Sequence, residues 1–235
     1  MLIHFIWIGK ESLKYSDYLA VRTASIVYPN ATILIWTDNI TYSSYGNKLK
    51  SIYGMQNLPK EWFNRLEQVK HLANKVDYLR LKLLKKFGGL YLDFDTLCVK
   101  RLNWEQFDKI TIGNQIDNGL YVNNAIVYAP AKCKLLKYIL DISFKNLQAN
   151  PYEWSVNLDT LNSVINKDNC NILHKEYFYY YDWMESEKWF RYNKIEDTMY
   201  IIHWWSAANN YRNKITPDYI NQSHSLYAKV VKEVL

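Results

Sequence analysis

The sequence predicts a single α/β domain: a mixed central sheet flanked by helices, with a nucleotide-binding crevice at its strand ends. Three observations carry that expectation. Short apolar runs alternate with helical segments as far as residue 100, the order that builds β-α-β units. Polar, ligand-like residues follow those runs where strands would end, as in sheets that bind nucleotides at their carboxyl edges. No repeat or linker divides the 235 residues, a length suited to one generous domain.

Leu2 to Ile8 reads as a buried strand closed by Gly9. It lacks the basic start and small-residue cleavage site of a signal peptide. A helix follows over Ser12 to Val27 and stops before Tyr28-Pro29-Asn30; Thr32 to Trp36 is a second strand. Ser, Gly and Asn mark Ile40 to Gly54 as a loop or weak helix. A long helical segment covers Lys60 to Phe87, broken near His71, and Gly88-Gly89 stops it and feeds the strand GGLYLDFD. Further strands are expected at Lys109 to Gly113, Leu120 to Tyr128 and Thr198 to His203, with helices at Ala131 to Leu147 and Asn221 to Leu235. Glu176 to Trp183, EYFYYYDW, is aromatic and irregular.

Hydrophobic residues at 49% and charged residues at 22% exclude extended disorder. Twenty-one Tyr and nine Trp exceed what a core requires; they reflect either a coding bias toward Asn, Lys, Tyr and Ile or aromatic platforms for bases and sugars. The net charge of +6 is dispersed, which suits an anionic substrate or plain solubility and leaves no basic arm for nucleic acid. Cys98, Cys133 and Cys170 lie far apart with no C-x-x-C, so a reducing compartment is expected rather than a disulfide framework or a zinc site. No run approaches a membrane span. The expected location is therefore the cytoplasm, where the sequons at Asn30, Asn39 and Asn221 would stay silent. Lys132, Lys134 and Lys137 beside Leu135, Leu136 and Ile139 fit either an ordinary core helix or peripheral contact with an anionic membrane.

The chemistry concentrates before and after Gly88-Gly89. At about 3.6 residues per turn, Leu72, Val76, Leu79, Leu83 and Phe87 form one stripe, with Lys75, Lys82, Lys85 and Lys86 opposite. Arg80 falls inside the apolar sector and Asp77 at its edge, spaced to pair. They form either a structural ion pair or a carboxylate and guanidinium facing a polar ligand. If the next strand runs on, Asp93 and Asp95 point the same way, and their repulsion needs compensation. Two carboxylates so spaced suit Mg²⁺ or Mn²⁺, which would in turn bridge to a diphosphate.

The pattern VDYLRLKLLKKFGGLYLDFD, Val76 to Asp95, resembles the D-x-D-containing sugar-binding region of glycosyltransferase family 32 and of the large clostridial glucosylating toxins. His4 to Gly9, HFIWIG, is similar to the first strand of that group. The resemblance covers the first hundred residues and implies a GT-A fold. Residues 1–100 would form a nucleotide-sugar and metal half, and 101–235 an acceptor half. It implies a retaining transfer of a hexose or N-acetylhexosamine from a UDP-sugar, with GDP-mannose as the alternative donor, to a glycan, lipid-linked or protein acceptor. In site terms, Ile6 and Trp7 would border the base, Asp77 and Arg80 would contact donor sugar or diphosphate, and Asp93 would face ribose and sugar. Asp95, with Asp93 and His203, would hold the metal, and Ser206 would reach a phosphate. Asp77, Arg80, Asp93 and Asp95 form the implied catalytic set.

The sequence departs from the family at His203-Trp204-Trp205-Ser206, where a Ser-Trp pair is expected, and in lacking a Thr-Gly-Pro element, near whose place stands Ser155 to Asp159. Asn123-Asn124 meets either donor or acceptor hydroxyls or only an edge strand's needs. Two other functions compete. A non-catalytic nucleotide-sugar or carbohydrate-binding protein would account for the aromatics but not for the Asp pair. A haloacid-dehalogenase-type phosphatase would open its core domain with D-x-D and add a later acidic pair, which is missing here.

Overall fold

The computed structural model describes residues 1–38 and 44–235. Leu2–Trp7 (β1) and Thr32–Thr37 (β2) pair in parallel, from Leu2 opposite Thr32 to Trp7 opposite Thr37, and Tyr15–Val27 (α1) makes the crossover. Ile3, Phe5 and Ile35 are fully buried, as expected of a parallel strand covered on both faces. Helix α1 opens where the Lys14 amide donates to Asp17 Oδ2 at 2.6 Å, the reciprocal half of a capping box.

The weak helix expected within Ile40 to Gly54 is a helix over Ser44–Tyr53 (α2); its residues 40–43, and the sequon at Asn39, lie outside the described residues. Gln56–Asn57 (β3) adds to β2, Lys60–Asn64 is α3, and Leu72–Phe87 is α4. His71 stands extended at the start of α4 (φ −80°, ψ 122°), which is the break the sequence suggested.

Gly89–Leu92 (β4) pairs in parallel with β1 and in antiparallel with Val122–Ala129 (β7). Thr111–Asn114 (β6) and Asn171–Leu173 (β8) complete a seven-stranded mixed sheet of order β3-β2-β1-β4-β7-β6-β8. A second sheet joins Thr96–Cys98 (β5) to Ile201–His203 (β9), with Thr96 opposite His203. Because β7 lies between β4 and β6, Asn123 and Asn124 are interior, which removes the edge-strand reading. Another correction concerns the D-x-D: the strand stops at Leu92, and Asp93 to Asp95 form a turn closed by the Thr96 amide and hydroxyl on the Asp93 carbonyl (3.2 and 2.7 Å).

Helix α5, Lys134–Ala149, buries Leu136, Ile139, Leu140 and Leu147, so the apolar side weighed for a membrane faces the core. Among the described residues no helix is long and apolar enough to cross a membrane. Val156–Val164 (α6) packs beside α4 and α5. The expected terminal helix is two, Pro217–Gln222 (α7) and Leu226–Val234 (α8), because the Ser225 hydroxyl caps α8 by accepting from the Ala228 amide.

Gly88 and Gly89 hold β4 in register. Both have positive φ, +66° and +104°, and a Cβ on Gly89 would stand 2.4 Å from the Leu2 carbonyl oxygen. The neighbouring His4 supports the same junction: its Nε2 donates to the Gly88 carbonyl at 2.8 Å while its Nδ1 accepts from Trp36 Nε1. Gly89→Ala should therefore cost about 3 kcal/mol from conformational strain plus the clash. Gly54→Ala, also at positive φ (+72°) but with open space around it, should cost only about 1 kcal/mol. Urea unfolding of the two variants checks the difference.

Candidate active site

Parallel pairing of β1 with β4 puts Trp7 and Asp93 at the same, carboxyl-terminal edge of the sheet, where such folds leave a crevice. A cleft of about 530 Å³ opens there; Ile6, Trp7, Arg80, Asp93, Asp95 and Ser206 all line it. Trp7 is fixed by its indole N–H donating to the Glu11 carbonyl at 2.8 Å and by the edge of Phe94. Asp77 and His203 do not line the cleft; each stands behind a residue that does.

Arg80 organises the inner wall. Its Nη2 lies 3.0 Å from Asp77 Oδ1 and 3.0 Å from Asp93 Oδ1, and its Nη1 donates to the Asn124 carbonyl and side-chain oxygens at 2.6 and 2.9 Å. The guanidinium lies over the Tyr91 ring at 4.5 Å, and the Tyr91 hydroxyl donates to Asp93 Oδ1 at 2.6 Å. The Arg80 Nε is buried with no partner. Burial lifts the Asp77 carboxyl to about 6, Arg80 opposing and Asp93 adding to the rise. Asp93 is also raised, by burial first, against the pull of Arg80.

Asp95 is held differently. Its Oδ1 lies 2.9 Å from His203 Nε2 and its Oδ2 accepts the Ser206 amide at 2.9 Å. Burial alone would raise its carboxyl, but His203 and the Ser206 amide and hydroxyl outweigh that and hold it well below the usual carboxylate range. The β5–β9 pairing brings these residues together, with the Trp204 amide on the Asp95 carbonyl at 3.0 Å. Trp205 follows in the left-handed region (φ 57°, ψ 59°), its ring 4.1 Å from the His203 ring.

The ligand atoms of Asp93, Asp95 and His203 lie within 4.8 Å of one another. Two carboxylates, one kept ionised, with an imidazole form a donor set that fits Mn²⁺, and less closely Mg²⁺.

Arg212 had no signal in the sequence, where NNYRNK reads as an ordinary loop. It lines the cleft, its Nη1 2.8 Å from Glu11 and its Nη2 2.8 Å from the buried Asp17, and lies over the Trp7 ring at 4.9 Å. Ser155 to Asp159, read as a remodelled acceptor element, forms the start of α6; Asn157 there is fully buried and donates to the Asn74 carbonyl of α4 at 2.6 Å. Asn123 is spent within the fold, donating to Gln115 Oε1 and accepting the Ala125 amide.

The arrangement of sheet, carboxyl-edge cleft and D-x-D turn is that of the GT-A fold. Residues 16–117 match the family described as the glycosyltransferase sugar-binding region containing a DXD motif. Toxin A of Clostridium novyi is 34% identical over 117 residues, 50% of this chain and 5% of the toxin. Glucan organizing enzyme 1 of Cryptococcus neoformans is 29% identical over 105 residues, 44% of this chain and 28% of that protein. The chain thus aligns with only a small part of either curated relative. Among solved structures, the PaToxG glycosyltransferase is similar with a TM-score of 0.56 at 20% identity, over 71% of this chain and 69% of its own. The galactosyltransferase LgtC, solved with donor and acceptor sugar analogues, covers all of this chain and 95% of its own at a TM-score of 0.55 and 14% identity.

Because the folded chain raises the Asp77 carboxyl to about 6, between about pH 4 and 6 it holds a proton that the unfolded chain, near ~3.9, has lost. That stability is full below the unfolded value and vanishes as pH rises through 6. Asp77→Asn, fixed in the neutral form and leaving Arg80 its bond to Asp93, should melt higher than wild type at pH 7.5. The gain should be on the order of 2 kcal/mol and close toward pH 4. Arg80→Met, which leaves both carboxylates without their cation, should cost about 3–5 kcal/mol. Melts at the two pH values test both expectations.

Proposed function

We propose that the chain is a metal-dependent, retaining hexosyltransferase. It would move a hexose or N-acetylhexosamine from a nucleoside-diphosphate sugar, a UDP-sugar before GDP-mannose, to a glycan, lipid-linked or protein acceptor in the cytoplasm. The observation that carries the reading is the convergence of Asp93, Asp95 and His203 beside a cleft that Trp7 and Arg80 also line. Residues 1–100 supply the donor half apart from His203 and Ser206, and 101–235 the acceptor half.

Asp95, Asp93 and His203 would hold Mn²⁺ or Mg²⁺, which when bound supplies positive charge to a diphosphate leaving group. Trp7 offers the base a ring face; Ser206, beside Asp95, offers a phosphate its hydroxyl. Arg80 is held rigidly by three residues and keeps the donor sugar in place at little entropic cost. Asp77 acts through Arg80 rather than on substrate.

The C1–oxygen bond to the diphosphate breaks, the acceptor oxygen bonds to C1 on the same face, and the acceptor hydroxyl proton leaves toward the departing phosphate. Both carboxylates are already engaged by donors: Asp93 Oδ1 accepts from Arg80 and Tyr91, and Asp95 is held by His203 and Ser206. In this reading the carboxylates serve charge stabilisation rather than nucleophilic attack.

Slow hydrolysis of the donor tests the reading without a known acceptor. With a panel of nucleotide sugars and Mn²⁺, one should release nucleoside diphosphate, and EDTA should stop it. Asp95→Asn should lower the rate at least ~100-fold, the scale of a lost charge stabiliser, with unchanged circular dichroism. An equal rate in EDTA would remove the metal from the mechanism.

A further inference from the structure

Two large rings near the cleft have no part in the site above. Tyr152 and Trp154 are 71% and 66% exposed. Exposed rings usually sit on loops free to move, but this loop is stitched down. Three consecutive carbonyls, of Pro151, Tyr152 and Glu153, accept from the Lys70 amide (2.9 Å), His71 Nε2 (2.7 Å) and Asn74 Nδ2 (2.7 Å). The Trp154 ring is further braced by the edge of His71 at 5.0 Å. The backbone is fixed while the ring faces stay in water.

The position is equally specific. His71 precedes Leu72, which lines the cleft and is itself 47% exposed. The two rings therefore continue the cleft's rim beyond the first turn of α4. Exposed Lys70 and Glu153 alternate with them, and the Lys70 ammonium lies 5.9 Å over the Tyr152 ring.

We propose that Tyr152 and Trp154 form a stacking platform for an oligosaccharide acceptor whose end sugar enters the cleft past Leu72. The assignment rests on the glycosyl-transfer reading. A sugar ring presents an apolar C–H face to an aromatic ring and hydroxyls to its rim, and here the rim supplies charged and hydrogen-bonding partners. A lipid tail would leave Lys70 and Glu153 unsatisfied. Because the loop is already ordered, a ligand need not freeze it on binding.

The test compares wild type, Tyr152→Ala/Trp154→Ala and Tyr152→Phe/Trp154→Phe on an array of defined oligosaccharides, with donor hydrolysis and melting measured in parallel. Wild type should bind glycans of several units, the Ala pair at least ~10-fold more weakly and the Phe pair within ~3-fold. Melting and donor hydrolysis should be the same for all three. Should the Ala pair fold poorly, bound oligosaccharide should still protect Trp154 of the wild type from N-bromosuccinimide, read by mass spectrometry. Wild type that binds no glycan, an Ala pair that binds as wild type, or loss only of self-association or of binding to anionic vesicles would overturn the platform. Glycan binding without any donor hydrolysis would count against the transferase reading and leave the platform standing.

Discussion

One guanidinium holds the two halves of the site together. Arg80 comes from α4, Asp93 from the end of β4 and Asn124 from β7, and all three meet with Asp77 at a single side chain. A buried charge needs such company: removed from water, it is tolerated only where partners replace its hydration. The fold supplies them in an order that fixes geometry. The antiparallel β4–β7 pairing carries Asn124 to within reach of Arg80, and the Asp93 amide donates to the Ala125 carbonyl at 2.9 Å, continuing that ladder past the end of the strand. The position of the D-x-D turn thus depends on Arg80 as much as on the strand before it.

The second carboxylate answers to a different part of the chain. Asp95 is bound by His203 and the Ser206 amide, and its carbonyl is bound by the Trp204 amide, so residues more than a hundred positions later in sequence close the site. The two carboxylates consequently have different characters. Asp77 and Asp93 share one cation and are raised by burial, whereas Asp95 is surrounded by donors and stays ionised. That division suits a site in which one carboxylate keeps its charge for a cation while its neighbour positions an arginine.

The cluster around Arg80 and the D-x-D turn was legible because its chemistry contradicts its periodicity. Arg80 in an apolar sector and paired Asp residues after a double glycine are costly unless something compensates them, and the sequence shows that cost directly. The strands β1 and β2 and the break at His71 followed from runs and punctuation. What the sequence hid depends on long-range pairing. Strand β5 is three residues joined to the D-x-D turn and exists because β9 lies against it. Strand β8 is three half-buried residues beside β6. Arg212 is meaningful only because its loop crosses back to Asp17 and Glu11. The misreading of Asp93 and Asp95 as strand residues has the same origin. Local alternation cannot reveal that Thr96 turns the chain after Leu92.

The segment around α6 is firmly attached to α4. Asn157 is fully buried in α6 and donates to the Asn74 carbonyl, while Asn74 itself donates to the Glu153 carbonyl. One asparagine in the first turn of α4 therefore joins the cleft wall to both α6 and the loop before it. Three residues later on α4 comes Asp77, and three further Arg80. A displacement of the 151–157 segment would reach Arg80 through about two helical turns, a length over which a helix is stiff. An amide network thus ties segment 151–157 to the helix that carries Asp77 and Arg80.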